Sequence, residues 1–131
     1  MPVNGVNHVN IIASDLDETC RFYENLLGFK RGETPGTAMG FKGAWLLDAT
    51  DRPIIHLMAF HSERHAGLDR GSATGSIDHV AFTCEDFTGT LQRLQELGLE
   101  HRVNDRQFAD LRQIFVTDPN NVALELNFAG D

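Results

Sequence analysis

Short stretches of alternating apolar and polar residues along the chain predict strands, and two segments with helical spacing predict helices. The first strand runs through Val6, Asn7, His8, Val9, Asn10 and Ile11. Next come apolar positions at Leu16, Phe22, Tyr23, Leu26 and Leu27, the spacing of an amphipathic helix. Asp15 followed by Glu18 is a capping signal, and Gly28 supplies the stop. A further strand is placed over Phe29 to Arg31. A strand pair follows, Ala44 to Leu47 and Ile54 to Met58, joined by the turn from Asp48 to Pro53.

The same order then recurs. Ile77, Asp78, His79, Val80, Ala81 and Phe82 repeat the first strand. Leu91, Leu94 and Leu97 mark a second helix, ended by Gly98. Glu100 to Val103 is the next strand, and Gln113 to Val116 and Val122 to Leu126 form the closing pair. Their turn, from Asp118 to Asn121, has Pro119 to fix φ and asparagines that tolerate a left-handed backbone. Each half therefore reads βαβββ, and the fold class is α+β. We expect a single domain over residues 1–131, with module 1 at about 1–61, a glycine-bearing linker at 62–75, and module 2 at about 76–131.

Strand alternation sorts the chemistry by face. Val9 and Ile11 oppose His8 and Asn10. Val80 and Phe82 oppose His79, Ala81 and Thr83, and Leu124 and Leu126 oppose Glu125 and Asn127. One face is apolar and suits the helices, while the other is small and polar, as the lining of a wet cavity is. The repeat places His56 and Glu125 at equivalent points. An ionised glutamate on an inner strand face is costly unless it is paired or bound to a metal. A lone strand histidine is more often packed or solvated than a ligand. The symmetric pair His8 and His79, joined by the carboxylate of Glu125, instead resembles a facial triad for one divalent ion, Fe(II), Mn(II), Ni(II) or Zn(II). His56 has three readings: fourth ligand, acid–base catalyst, or packed bystander, with its neighbours Ile54 and Met58 offering few polar contacts. His61, His65 and His101 read as solvated, Arg106, Phe108 and Arg112 as a surface loop or cavity mouth, and Trp45 as core.

Composition narrows the partners. With 131 residues, 41% hydrophobic and 23% charged, the chain can bury a core. A net charge of −8 argues against nucleic acid and against an anionic membrane surface. No apolar run is long enough to span a bilayer, and Met1 to Gly5 does not read as a signal peptide. Cys20 and Cys84 stand far apart and read as reduced thiols of a cytoplasmic protein.

These motifs together resemble the vicinal oxygen chelate superfamily, the glyoxalase, bleomycin-resistance and extradiol-dioxygenase proteins. The resemblance covers nearly the whole chain. It rests on His8, on the run Phe22 to Phe29, on Ile77 to Phe82, and on Asp118-Pro119-Asn120 leading to Leu124-Glu125-Leu126. It implies two βαβββ modules forming a cupped, incomplete mixed β-barrel. It further implies metal ligands at His8, His56, His79 and Glu125, with His56 and Glu125 also the catalytic candidates. A homodimer is implied as well, with Lewis-acid chemistry on a small substrate bearing adjacent oxygens. Lyase or isomerase chemistry is favoured, and the alternatives are an Fe(II) extradiol-type dioxygenase and a metal-free binding protein of the bleomycin-resistance kind.

Several positions depart from particular members. Glyoxalase I normally carries a carboxylate or glutamine where this chain has His56. Ile12 and Phe60 stand where it grips glutathione. Arg106 and Phe115 stand where ring-cleaving dioxygenases place His and Tyr. The three-ligand set is shared with fosfomycin-type thiol transferases, but no potassium-loop or phosphonate motif is visible.

Overall fold

Both helices begin on an aspartate, and each start is set by a side chain accepting from a backbone N–H. In the computed structural model the residues described are 1–32, 42–62, 74–108 and 111–129, without the side chains of 105–108. Helix α1 (Leu16–Leu27) is capped by Asp15, whose Oδ1 accepts from the Glu18 N–H at 3.0 Å. It ends at Gly28, where φ is +70° and the N–H of Gly28 reaches the Glu24 carbonyl. Only a residue free of a Cβ penalty closes a helix this way at little cost. The face it buries carries Thr19, Cys20, Phe22, Tyr23 and Leu26.

Helix α2 (Phe87–Glu96) starts earlier than the leucine spacing indicates. Asp86, at φ +66°, accepts from the Gly89 N–H at 3.0 Å. A Cβ at position 89 would run into the Asp86 carboxylate, so the cap requires glycine there. Leu94 is buried as expected, but Leu97 is the C-cap and is exposed. The inward stripe is instead Phe87, Thr90 and Leu94, with Phe87 edge-on to Phe128.

The chain divides into two units, residues Met1–Gly71 and Ser72–Asp131, and each repeats one architecture. In the first, β1 (Val9–Ala13), β2 (Lys30–Gly32), β3 (Gly43–Leu47) and β4 (Pro53–Ala59) form a sheet in the order β1-β4-β3-β2. In the second, β5 (Val80–Cys84), β6 (His101–Phe108), β7 (Leu111–Thr117) and β8 (Ala123–Ala129) form a sheet in the order β5-β8-β7-β6. Each helix carries the chain from one sheet edge to the other, because parallel strands cannot be joined by a hairpin. The three later strands then return antiparallel until the last lies parallel beside the first. The βαβββ reading therefore holds in both halves. Most of the 62–75 linker falls outside the described residues.

The two hairpin turns share one device. Asp48 Oδ1 accepts from the N–H groups of Thr50 and Arg52, and Asp118 Oδ1 accepts from those of Asn120 and Val122. Asp51 and Asn121 take the left-handed conformation that each turn needs, at φ +63° and +65°. Behind the sheets lie the cores: Ile11, Ala13, Ala44, Leu46, Ile55 and Leu57 in the first unit, and Leu94, Ile114, Val116, Leu124, Leu126 and Phe128 in the second. Among the described residues no helix is long and apolar enough to cross a membrane.

Leu126 is fully buried on the side of β8 opposite Glu125. We predict that Leu126→Ala lowers unfolding free energy by about 2–5 kcal/mol, read by chemical denaturation. A loss below about 1 kcal/mol would show that this face of β8 is not core.

Candidate metal-binding site

Every candidate ligand lies on the polar faces of the two sheets or at their edge, and each unit holds a pair. His8 and His79 sit one residue before β1 and β5, not within them as expected. Both rings are tethered by the residue just ahead. The Asn7 Oδ1 lies 2.7 Å from His8 Nδ1, and the Asp78 Oδ1 lies 2.9 Å from His79 Nδ1. An Nδ1–H donated to such an oxygen leaves the Nε2 lone pair outward, the arrangement that metal-ligating histidines use. Sequence reasoning does not single out the tethers Asn7 and Asp78, although an amide or carboxylate precedes the His in both repeats.

In the second unit Glu125 follows from register. Ala81, two residues after His79, pairs with Glu125 across the parallel β5–β8 ladder. This brings Glu125 Oε1 to 3.7 Å from His79 Nε2. Two donors at ~2.1 Å from one ion lie about 3.0–3.4 Å apart in octahedral or tetrahedral geometry, so a small adjustment suffices for both to share a metal. The other carboxylate oxygen is held, for Asn127 Nδ2 donates to Oε2 at 3.0 Å. Beside this pair is a cavity of about 510 Å³, lined in part by Asp78, His79, His101, Arg102, Phe115 and Ala123. The Arg102 guanidinium lies 4.2 Å above the Phe115 ring, and Phe115 is the cross-strand neighbour of Glu125.

In the first unit Asn10 pairs with His56 across β1–β4, and His56 thus occupies the register point that Glu125 holds in the second. Its surroundings differ from those expected. Ile54 and Met58 do not decide them: the Asn10 amide lies 3.0 Å from His56 Nδ1, and the ring is stacked on Trp45 at 4.4 Å. The His8 ring meets Trp45 edge-on at 4.9 Å and lies 6.1 Å from the His56 ring. Trp45 is therefore a platform for two histidines, not core. Its β3 position faces the polar side because Ala44 and Leu46 take the buried one. With Asn10 Nδ2 donating, His56 Nδ1 accepts, and the neutral ring carries its proton on Nε2.

The structure thus brings together His79 with Glu125, and His8 with His56. Among the described residues no group of three or more His, Cys, Asp or Glu stands close enough to hold a metal ion. Arg112 is not a loop residue: it lies in β7, with its guanidinium over Phe87 at 4.1 Å on the helix side of the sheet. Arg106, Phe108 and His65 fall outside the described side chains. His101 is half-buried, with Nδ1 bonded to the Leu99 carbonyl, rather than free in solvent. Both cysteines are free, and burial pushes their thiols up, that of Cys84 to about 11. Neither is set up as a nucleophile.

The fold defines a class of two-module proteins, with candidate donor positions repeated in each half. The chain belongs to the glyoxalase/bleomycin resistance protein/dioxygenase superfamily, whose model matches residues 5–126. It is 27% identical to "Glyoxylase I 4" of Arabidopsis thaliana, over 95% of this chain and 70% of that protein. It is also 27% identical to the metallothiol transferase FosB of Lysinibacillus sphaericus, over 97% of this chain and 84% of that protein. Among solved structures it is similar to a mutant of the fosfomycin resistance protein FosX of Listeria monocytogenes, complexed with Mn(II) and 1S,2S-dihydroxypropylphosphonic acid. That likeness has a TM-score of 0.72 at 23% identity and covers 99% of this chain and 95% of that chain.

His56 and His79 titrate in opposite senses. Burial, and then the charge of His8, push His56 below its ordinary value, whereas the Asp78 hydrogen bond, and then Glu125, raise His79. In metal-free protein, His56 contributes stability that is complete above the unfolded value of about 6.5 and is lost as pH falls through its lower folded pKa. His79 contributes stability below about 6.5 that is lost as pH rises through its raised folded pKa. NMR titration of the ring protons should place His56 below His79. The reverse order would overturn both environments.

Proposed function

We propose that the chain is a divalent-metal-dependent enzyme of the vicinal oxygen chelate type, acting on a small substrate with two adjacent oxygens. His8, His79 and Glu125 are the proposed ligands of one ion, with Fe(II), Mn(II), Ni(II) and Zn(II) all suited to that donor set. The observation that carries this is the matched tether. Asn7 and Asp78 turn the Nε2 of His8 and His79 outward in the same way, and beside His79 one oxygen of Glu125 is left over. A bound ion would supply Lewis-acid polarisation of the paired substrate oxygens.

His56 is proposed to move the proton. While Asn10 donates to its Nδ1, Nε2 carries a hydrogen, so in this tautomer the ring offers a hydrogen bond rather than a lone pair to a metal. Ligation through Nε2 requires the Asn10 amide to turn and accept from Nδ1–H. The stack on Trp45 holds the ring plane in either case. Burial lowers its pKa and favours the neutral ring, and with the Asn10 amide turned the free Nε2 can take a proton as general base and return it as general acid. Lyase or isomerase chemistry is the favoured outcome. Ring cleavage with dioxygen is less well supported, since Phe115, against Glu125, has no hydroxyl to contribute. Thiol transfer is a second reading, favoured by the likeness to FosB.

Purified without chelator, the wild type should carry roughly one metal ion per chain, read by elemental analysis, and Glu125→Ala should lose most of it. A wild type that takes up no metal on reconstitution, but binds small ligands, would instead be a binding protein. His56→Ala should retain its metal and lose about 10²–10⁴-fold in turnover. Loss of metal from that variant would make His56 a ligand. A panel of α-keto thiohemiacetals, vicinal diols, catechols and thiol acceptors against each reconstituted metal identifies the reaction.

A further inference from the structure

Three side-chain amides cross the polar face of the second sheet in a line that ends on Glu125. Asn104 on β6 donates from Nδ2 to the Gln113 Oε1 on β7 at 3.1 Å. Gln113 Nε2 donates to the Asn127 Oδ1 on β8 at 2.9 Å. Asn127 Nδ2 then donates to Glu125 Oε2 at 3.0 Å. Register supports the line, since Asn104 pairs with Gln113 and Gln113 with Asn127.

The direction of the line is fixed from one end. An ionised carboxylate only accepts, so Asn127 must present its NH₂ to Glu125. Its Oδ1 is then left for the NH₂ of Gln113, and the Gln113 Oε1 for Asn104. Every amide therefore points its donor toward the same carboxylate, and aligned bonds of this kind polarise one another. The end effect falls on one atom. Oε2 is occupied, and Oε1, facing His79 Nε2 at 3.7 Å, is the oxygen left for a cation.

We propose that Asn127 and Gln113 are positioning residues that make Glu125 a one-oxygen ligand through Oε1, with Asn104 anchoring the line. This rests on the metal reading above. A carboxylate without the line could turn and offer both oxygens, which raises the coordination number and costs affinity through lost orientation. Outer partners of metal ligands typically carry such effects.

The test is Co(II) binding to wild type, Asn127→Leu and Gln113→Leu, followed by calorimetry and by the visible d–d spectrum. Asn127→Leu should bind about 10–100-fold more weakly, with weaker visible absorption as Glu125 becomes bidentate. Gln113→Leu, one step farther, should show the same change to a smaller degree. Leu126→Ala is the control, because it weakens the fold from the opposite face of β8 and should leave affinity and spectrum unchanged in the folded protein. If Asn127→Leu fails to fold by circular dichroism, Gln113→Leu carries the decision. No Co(II) uptake by the wild type overturns the metal reading and this inference with it. Uptake by the wild type, with affinity within twofold and an unchanged spectrum in the folded amide variants, overturns the line alone.

Discussion

The parallel pairing of the first and last strand in each unit is the constraint from which the site follows. Antiparallel return strands can close by tight turns, but a parallel partner must be reached by a crossover. The chain meets this by sending α1 and α2 across the sheet and filling the gap with three antiparallel strands. The outcome is that a residue near the start of a module and a residue near its end share one ladder. Asn10 meets His56 and Ala81 meets Glu125 only because β4 and β8 finish beside β1 and β5. A slip of one residue in either ladder would send the polar side chains into the helix-covered core and the leucines outward.

That sidedness is held by packing rather than by the polar groups. Ile55 and Leu57 flank His56, and Leu124 and Leu126 flank Glu125, all of them buried. Each such side chain contributes on the order of 1.5–3 kcal/mol by burial. The His79–Glu125 contact, between side chains 41% and 19% exposed, sits in the range where ion pairs contribute little. The apolar face thus determines where the polar face is, and the polar groups are free to serve chemistry. Glu125 offsets part of its desolvation cost through the hydrogen bond that the Asn127 amide donates to Oε2.

The fold was legible because periodicity and punctuation agreed: Asp15 and Gly28 bounded α1, and the Asp118 turn bounded the last hairpin. His8 with His79, and His56 with Glu125, were legible as positions of a repeat. What sequence could not supply was lateral contact. Trp45 reads as core by size, and only the pairing of β3 with β4 puts it flat against His56. Leu97 has the helical spacing of a core residue, but the left-handed Asp86 cap starts α2 at Phe87 and turns the buried stripe to Thr90 and Leu94. Arg112 reads as loop because the strand pattern nearby is short, whereas β7 extends back to Leu111.

The two units keep one frame and support their key side chain from opposite sides. In the first, the parallel neighbour of His56 is Asn10, long enough to reach the ring, and the antiparallel neighbour is Trp45, which offers only a face. In the second, the parallel neighbour of Glu125 is Ala81, too short to reach anything, and the antiparallel neighbour is Phe115, turned toward Arg102. Support for the carboxylate must then come along its own strand, from Asn127, and the amide of Asn127 must in turn be satisfied from β7. Replacing Asn by Ala at one ladder position therefore moves the polar partner from the crossover strand to the meander. The different support of His56 and Glu125 follows from that exchange rather than from any difference in fold.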